Sequence, residues 1–285
     1  MSEIAASIFR RNLGPLKPID TEIESSLSKL PQIEAVVFDI YGTLFVSGSG
    51  DIGTAAADPK VDSLEQAIAE TGIQIDEAAE AVLKRHYDSI QESHRISKAK
   101  GIPYPEVDIL EIWRETMKDY SLDDRQLETL AIEFESRANP VWPMPGLQEV
   151  LAALSLKRPL GIVSNAQFFT LELFEVFLGL SRQQLGFISE LEVYSFAEGQ
   201  AKPGIEIYKV AVDRLGKHGI HPANVLYVGN DMLNDIQPAQ TVGFRTALFA
   251  GDKRSLRLRK DDERVDGIQP DITVKSLSQI IQCVE

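Results

Sequence analysis

Two aspartates four residues apart, Asp231 and Asp235, close the segment Val228-Gly229-Asn230-Asp231-Met232-Leu233-Asn234-Asp235, and a third, Asp39, ends the apolar run Ala35-Val36-Val37-Phe38. Each stands where a short apolar strand gives way to a turn. Carboxylates so placed can attack an electrophile or hold a hard cation such as Mg²⁺. Asp231 and Asp235 repel each other unless a cation or hydrogen bonds compensate, and helix capping is the plainer alternative role for both. Gly42 permits a sharp turn after Asp39, and Thr43 offers a hydroxyl beside it. Ser164 and Asn165 follow the run Leu160–Val163 and could hold an anionic oxygen, although Ser-Asn after a strand is also ordinary turn chemistry. Lys202, in Ala201-Lys202-Pro203-Gly204, precedes a helix that carries Tyr208. A full positive charge beside a helix start is suited to anions, and a solvated lysine is the plainer alternative.

Alternating strands and helices must position these groups. Candidate strands are Leu160–Ser164, Leu191–Tyr194, Val225–Gly229, Thr246–Phe249 and Ile272–Val274; candidate helices are Leu147–Leu156, Thr170–Phe177, Ile205–Leu215 and Asp235–Val242. The pattern implies βαβ units and a parallel sheet, with the chemical residues at its carboxyl edge. Between Asp62 and Asn139 the periodicity is helical throughout, over Asp62–Glu70, Asp76–Lys98, Pro105–Tyr120 and Leu122–Arg137. Ile109, Ile112, Trp113 and Met117 form a stripe expected to be core. Ser47–Thr54 has the composition of a flexible linker. The fold class expected is α/β, a Rossmann-like parallel sheet with an inserted all-helical cap. The expected division is an N-terminal extension at 1–31, a core at 32–50 and 140–285, and a cap at 51–139. Within the extension, Thr21–Leu30 could make a short helix.

Asp39-Ile40-Tyr41-Gly42-Thr43, Ser164, Lys202 and the Asp231/Asp235 pair, in this order, resemble the four motifs of the haloacid dehalogenase (HAD) superfamily. The resemblance spans about residues 33–250, and the helical insertion is similar to that family's C1-type cap. It implies that Asp39 is a nucleophile forming a covalent aspartyl intermediate. Thr43 and Ser164 would then bind the transferring oxyanion, with Asn165 beside them, and Lys202 would offset charge. In the metal-dependent phosphatase branch Mg²⁺ would be held by Asp39, the backbone carbonyl of Tyr41 and the Asp231/Asp235 motif. Tyr41 departs from the usual Asp-x-Asp-Gly-Thr form, at the position of the general acid, and a phenol with a pKa of about 10 is a poor acid near neutrality. Asp-x-Tyr-Gly-Thr is instead similar to the L-2-haloacid dehalogenase branch, as is a tyrosine, Tyr208, six residues after Lys202. That branch uses no metal and needs a cap arginine for the substrate carboxylate. Arg85 is the nearest candidate, with a solvated helix face as its alternative role.

The net charge of −14, from 29 basic and 43 acidic residues, speaks against nucleic acid or an anionic membrane as partner. Cys283 is the single cysteine, so no internal disulfide is possible, and no stretch resembles a signal peptide or membrane span; a cytoplasmic location is expected. His86, His94, His218 and His221 read as surface residues, and the basic run Lys253–Lys260 reads as a solvated helix, with phosphate or partner binding as its alternative. The expected function is Mg²⁺-dependent hydrolysis of a small phosphorylated metabolite. The alternatives are metal-free C–halogen hydrolysis and a non-enzymatic or regulatory role on the same fold.

Overall fold

Strand β1 (Ala35–Phe38) is apolar throughout and buried on both faces, as expected of a strand inside a parallel sheet. In the computed structural model, which describes residues 3–49 and 57–285, it lies at the middle of a six-stranded parallel sheet. Its neighbours are β4 (Leu160–Ser164) on one side and β6 (Val225–Gly229) on the other. β5 (Phe187–Tyr194) lies outside β4, and β7 (Arg245–Phe249) then β8 (Ile272–Val274) lie outside β6. The strand order is β5-β4-β1-β6-β7-β8, so the winding reverses at β1. In open α/β sheets ligands bind at such a reversal, beyond the carboxyl ends of the strands. Helices α6 (Leu147–Ser155), α7 (Leu173–Leu178), α8 (Ser195–Glu198), α9 (Ile205–Lys217), α10 (Gln237–Thr241) and α11 (Ser278–Val284) complete the α/β core.

The helical insertion leaves and returns through a two-stranded antiparallel ribbon, β2 (Phe45–Ser47) with β3 (Val141–Pro143), absent from the sequence reading. Its helices are α2 (Ala57–Thr71), α3 (Ala79–Ala99), α4 (Ile109–Thr116) and α5 (Asp124–Ala138). They share a core built on Leu64, Val82, Trp113, Met117, Leu127 and Leu130. Asp108 caps α4, and Asp123 and Gln126 form a capping box on α5, each such cap contributing about 1 kcal/mol. Of the linker Ser47–Thr54, residues 50–56 lie outside those described; Ser47 and Ser49 are fixed, their hydroxyls donating to Asn139 Oδ1 at 2.8 and 2.7 Å.

Two expectations are corrected here. Thr21–Leu30 is not helical: Ser26 and Thr273 exchange backbone hydrogen bonds at 2.9 Å, tying an extended chain to the open edge of β8. The helix of the extension is instead α1 (Glu3–Asn12), which buries Ile8 and Phe9 and is tied to α5 by Arg11–Glu133 and Asn12–Glu133 bonds. A helix this short gains its stability from that packing. His86 is not on the surface: it is 2% exposed, its ring 4.0 Å from that of Trp113. Burial holds its pKa down at about 3. Among the described residues no helix is long and apolar enough to cross a membrane.

Candidate active site

Asp39 follows β1 directly, and its backbone N–H donates to Val228 O at 2.9 Å, which continues the sheet ladder to the carboxylate itself. Its Oδ1 accepts from Ser164 Oγ at 2.8 Å and Lys202 Nζ at 2.7 Å. Three strand ends thus converge, with Asp39 after β1, Ser164 closing β4 and Asn230-Asp231 after β6. The turn beyond Asp39 needs Gly42: its φ is +80°, and a Cβ there would lie 2.5 Å from Ser255 Cβ. Thr43 is fully buried, and its hydroxyl donates to Asn230 Oδ1 at 3.0 Å, joining the first turn to the fourth. The Asn165 side chain does the same between the second and third, accepting from Lys202 N at 2.8 Å and donating to Lys202 O at 3.2 Å.

Lys202 is buried, and its ammonium donates to Asp39, to Asp235 Oδ1 at 2.6 Å and to the Tyr227 hydroxyl at 3.3 Å. Burial acts to lower its pKa, and the two carboxylates outweigh burial and raise it, so the charge is kept. Asp235 Oδ2 accepts from the backbone N–H groups of Asn230 and Asp231 at 3.0 and 2.9 Å, and Oδ1 also accepts from Tyr227 at 3.1 Å. Burial pushes Asp235 up to about 6, opposed by Lys202. The residue is packed so closely that a Cβ on Gly229 would lie 2.4 Å from its Cγ. Tyr227, in β6, was missed in the sequence because it reads there as an ordinary buried strand residue. Tyr208 is placed beneath the fourth turn, fully buried, its hydroxyl donating to Asn234 O at 2.7 Å.

Asp231 caps the π-type turn Met232–Ile236, accepting from Leu233 N at 2.8 Å and Asn234 N at 3.2 Å. π turns of this kind often mark functional sites. Its Oδ2 also accepts from Arg259 Nη2 at 2.6 Å. The solvated helix expected over Lys253–Lys260 is therefore corrected. Arg257 N donates to Asn230 O at 3.0 Å and Met232 N to Arg257 O at 2.9 Å, so the segment is bridged to the fourth turn at Arg257, between a turn at 253–255 and Arg259, whose φ is +51°.

A cavity of about 170 Å³ is lined by Asp39, Asn165, Lys202, Asp231, Ser255 and Arg257, among others. Tyr41 is half-buried at its margin, and its hydroxyl shares a hydrogen bond of 2.8 Å with Thr170 Oγ1. Burial, with Glu135 and Asp39 adding to it, raises this phenol far above its ordinary pKa. Arg85 does not line the cavity: it donates to both oxygens of Glu77, at 2.9 and 2.6 Å, and to Thr116 O at 2.7 Å. No group of three or more His, Cys, Asp or Glu side chains arranged to hold a metal is found among the described residues. Asp39 and Asp231 bring carboxylates to the cavity wall; both oxygens of Asp231 are engaged by Arg259 and by backbone N–H groups, and both oxygens of Asp235 by Lys202, Tyr227 and backbone N–H groups.

The sequence from residue 33 to 243 matches the model of the haloacid dehalogenase-like hydrolase family. Among solved structures, it is similar to a 2-haloacid dehalogenase from Pseudomonas syringae pv. Tomato (20% identity, covering 88% of this chain and 97% of that one, TM-score 0.55). It is similar also to a defluorinating L-2-haloacid dehalogenase (16% identity, 94% and 98% covered, TM-score 0.51) and to a HAD phosphatase from Thermococcus onnurineus (19% identity, 87% and 96% covered, TM-score 0.47). At these identities the likenesses to the two dehalogenases show a shared fold. No curated protein matches the sequence. The chain belongs to the haloacid dehalogenase-like hydrolase family.

Proposed function

We propose that this hydrolase acts on a small phosphorylated compound, with Asp39 as nucleophile and Mg²⁺ as cofactor. The observation that carries the reading is the pinning of Asp39. Ser164 and Lys202 both hold Oδ1, on a residue that lines the same cavity as Asp231. In the first step Asp39 forms a bond to phosphorus, and the bond to the leaving oxygen breaks. That oxygen departs with its electron pair and takes a proton from solvent, since the Tyr41 phenol holds its own. Water then attacks the aspartyl phosphate, releasing phosphate and regenerating Asp39. Substrates whose leaving groups need little protonation are accordingly the best ones.

Lys202 is shared between Asp39 and Asp235, and Arg259 is paired with Asp231, so a phosphate ester would bring negative charge that these pairs do not already offset. Hard oxygens from Asp39, Asp231 and the Tyr41 carbonyl suit Mg²⁺, provided Arg259 releases Asp231. When bound, the ion would neutralise charge on the transferring group. Ser164 and Lys202 hold Asp39 in line, Asp235 and Tyr227 hold Lys202, and Thr43 and Asn165 brace the turns.

One observation favours a second reading, metal-free hydrolysis of a C–halogen bond. Arg259 already neutralises Asp231, and a departing halide needs no acid at position 41. Chelator separates the two. Hydrolysis of p-nitrophenyl phosphate that is lost with chelator and restored by Mg²⁺ supports the phosphatase. Halide release from 2-chloropropionate, indifferent to chelator, replaces it with the dehalogenase. Turnover of neither substrate counts against both and favours a non-enzymatic role.

A further inference from the structure

The segment beside the fourth turn divides its side chains between two surroundings. Leu256 and Leu258 pack against the apolar cluster of Met232, Leu233 and Val265, while Ser255 and Arg257 line the cavity and Arg259 reaches Asp231. The segment thus brings a hydroxyl and two guanidinium groups to the site, with Arg257 Nη1 also donating to Arg254 O at 2.7 Å and Leu256 O at 3.1 Å. Ser255 is 1% exposed, and its Oγ is buried without a hydrogen-bond partner. That oxygen lies 2.9 Å from where a Cβ on Gly42 would stand, beside the turn that follows Asp39. A buried hydroxyl without a partner is costly, and one on a cavity wall can be satisfied by an oxygen of a bound molecule. Meanwhile the three donors of Lys202 are taken by Asp39, Asp235 and Tyr227. Positive charge for further anionic atoms of a substrate must come from elsewhere on the wall.

We propose that Ser255 and Arg257 bind a second anionic group of the substrate, a carboxylate or another phosphate, carried a few bonds from the group that Asp39 attacks. The inference rests on the reading of the Asp39 cavity as the substrate site. Arg259 adds positive potential and closes the strip against Asp231. None of the four motifs contributes these residues.

The test is equilibrium binding to the Asp39→Asn protein by calorimetry, so that turnover does not intervene. The probes are 3-phosphoglycerate and glycerol 3-phosphate, which differ by a carboxylate against a hydroxymethyl group, and propane-1,3-diol bisphosphate for a second phosphate. Succinate against butyrate repeats the comparison without phosphate. The doubly anionic member of each pair should bind about tenfold tighter or more, as charge-assisted hydrogen bonds to arginine would give. That preference should fall several-fold in Ser255→Ala and vanish in Arg257→Gln, with Arg257→Lys, which keeps the charge, between them. The carboxylate and bisphosphate arms identify which anion is preferred. Equal binding within every pair, or a preference that survives both variants, overturns the proposal. A preference lost in Arg257→Gln, in a wild-type protein that hydrolyses none of these esters, discards the phosphatase reading and leaves this site standing.

Discussion

Arg259 Nη2 lies 2.6 Å from Asp231 Oδ2, so the second cavity carboxylate is paired with a guanidinium from outside the four family motifs. Asp231 is also fixed by two backbone N–H groups of its own turn. Its charge is therefore balanced within the chain, and any cation that uses it must compete with the arginine.

Replacing Arg259 by alanine removes that competitor. Calorimetric titration with Mg²⁺ should show about tenfold tighter binding in Arg259→Ala, the loss of one charge-assisted pair at a partly buried site. Unchanged or weaker Mg²⁺ binding would mean that Asp231 is not a ligand.

Tyr41→Asp should restore an acid where the phenol cannot supply one. Hydrolysis of an alkyl phosphate should rise by about 10²-fold, the lower range for a positioned proton donor, and that of p-nitrophenyl phosphate much less. Equal gains on the two esters, or none, would show that leaving-group protonation does not limit turnover.

His86 gives the helical insertion a pH-dependent stability. Its folded pKa, about 3, lies below the ordinary 6.5, so the unfolded chain binds the proton more readily between those values. The associated stability is complete above about pH 6.5 and is lost as pH falls towards 3, at up to about 1.4 kcal/mol per pH unit. Denaturant midpoints measured from pH 7 to 4 should fall less steeply in His86→Phe than in the wild type. Parallel slopes would remove His86 from the account.

Much of this arrangement was legible in the sequence wherever a strand ended in a polar residue. Asp39, Ser164 and Asp231 were found because an apolar run followed by a turn fixes both the strand and the direction of its last side chain. The Ser255–Arg259 strip was missed because a dense basic run reads as a solvated face, and its bridge at Arg257 depends on a distant turn that supplies the hydrogen bonds. Tyr227 was missed, and Tyr208, singled out by its spacing from Lys202, was given no contact. Both are core residues by pattern, and only packing distinguishes the hydroxyl that reaches Lys202 from the one that props Asn234. Thr21–Leu30 failed as a helix because the exposed edge of β8, a long-range partner, offered its backbone a better pairing.

The central claim is that Asp39 becomes covalently attached to part of the substrate. Rapid acid quench during turnover, followed by mass spectrometry of the peptide containing Asp39, tests it most directly. A phosphoryl group on Asp39 with p-nitrophenyl phosphate, absent from Asp39→Asn, is the result expected. Steady turnover with Asp39 unmodified at every quench time, or retained by Asp39→Asn, would contradict it.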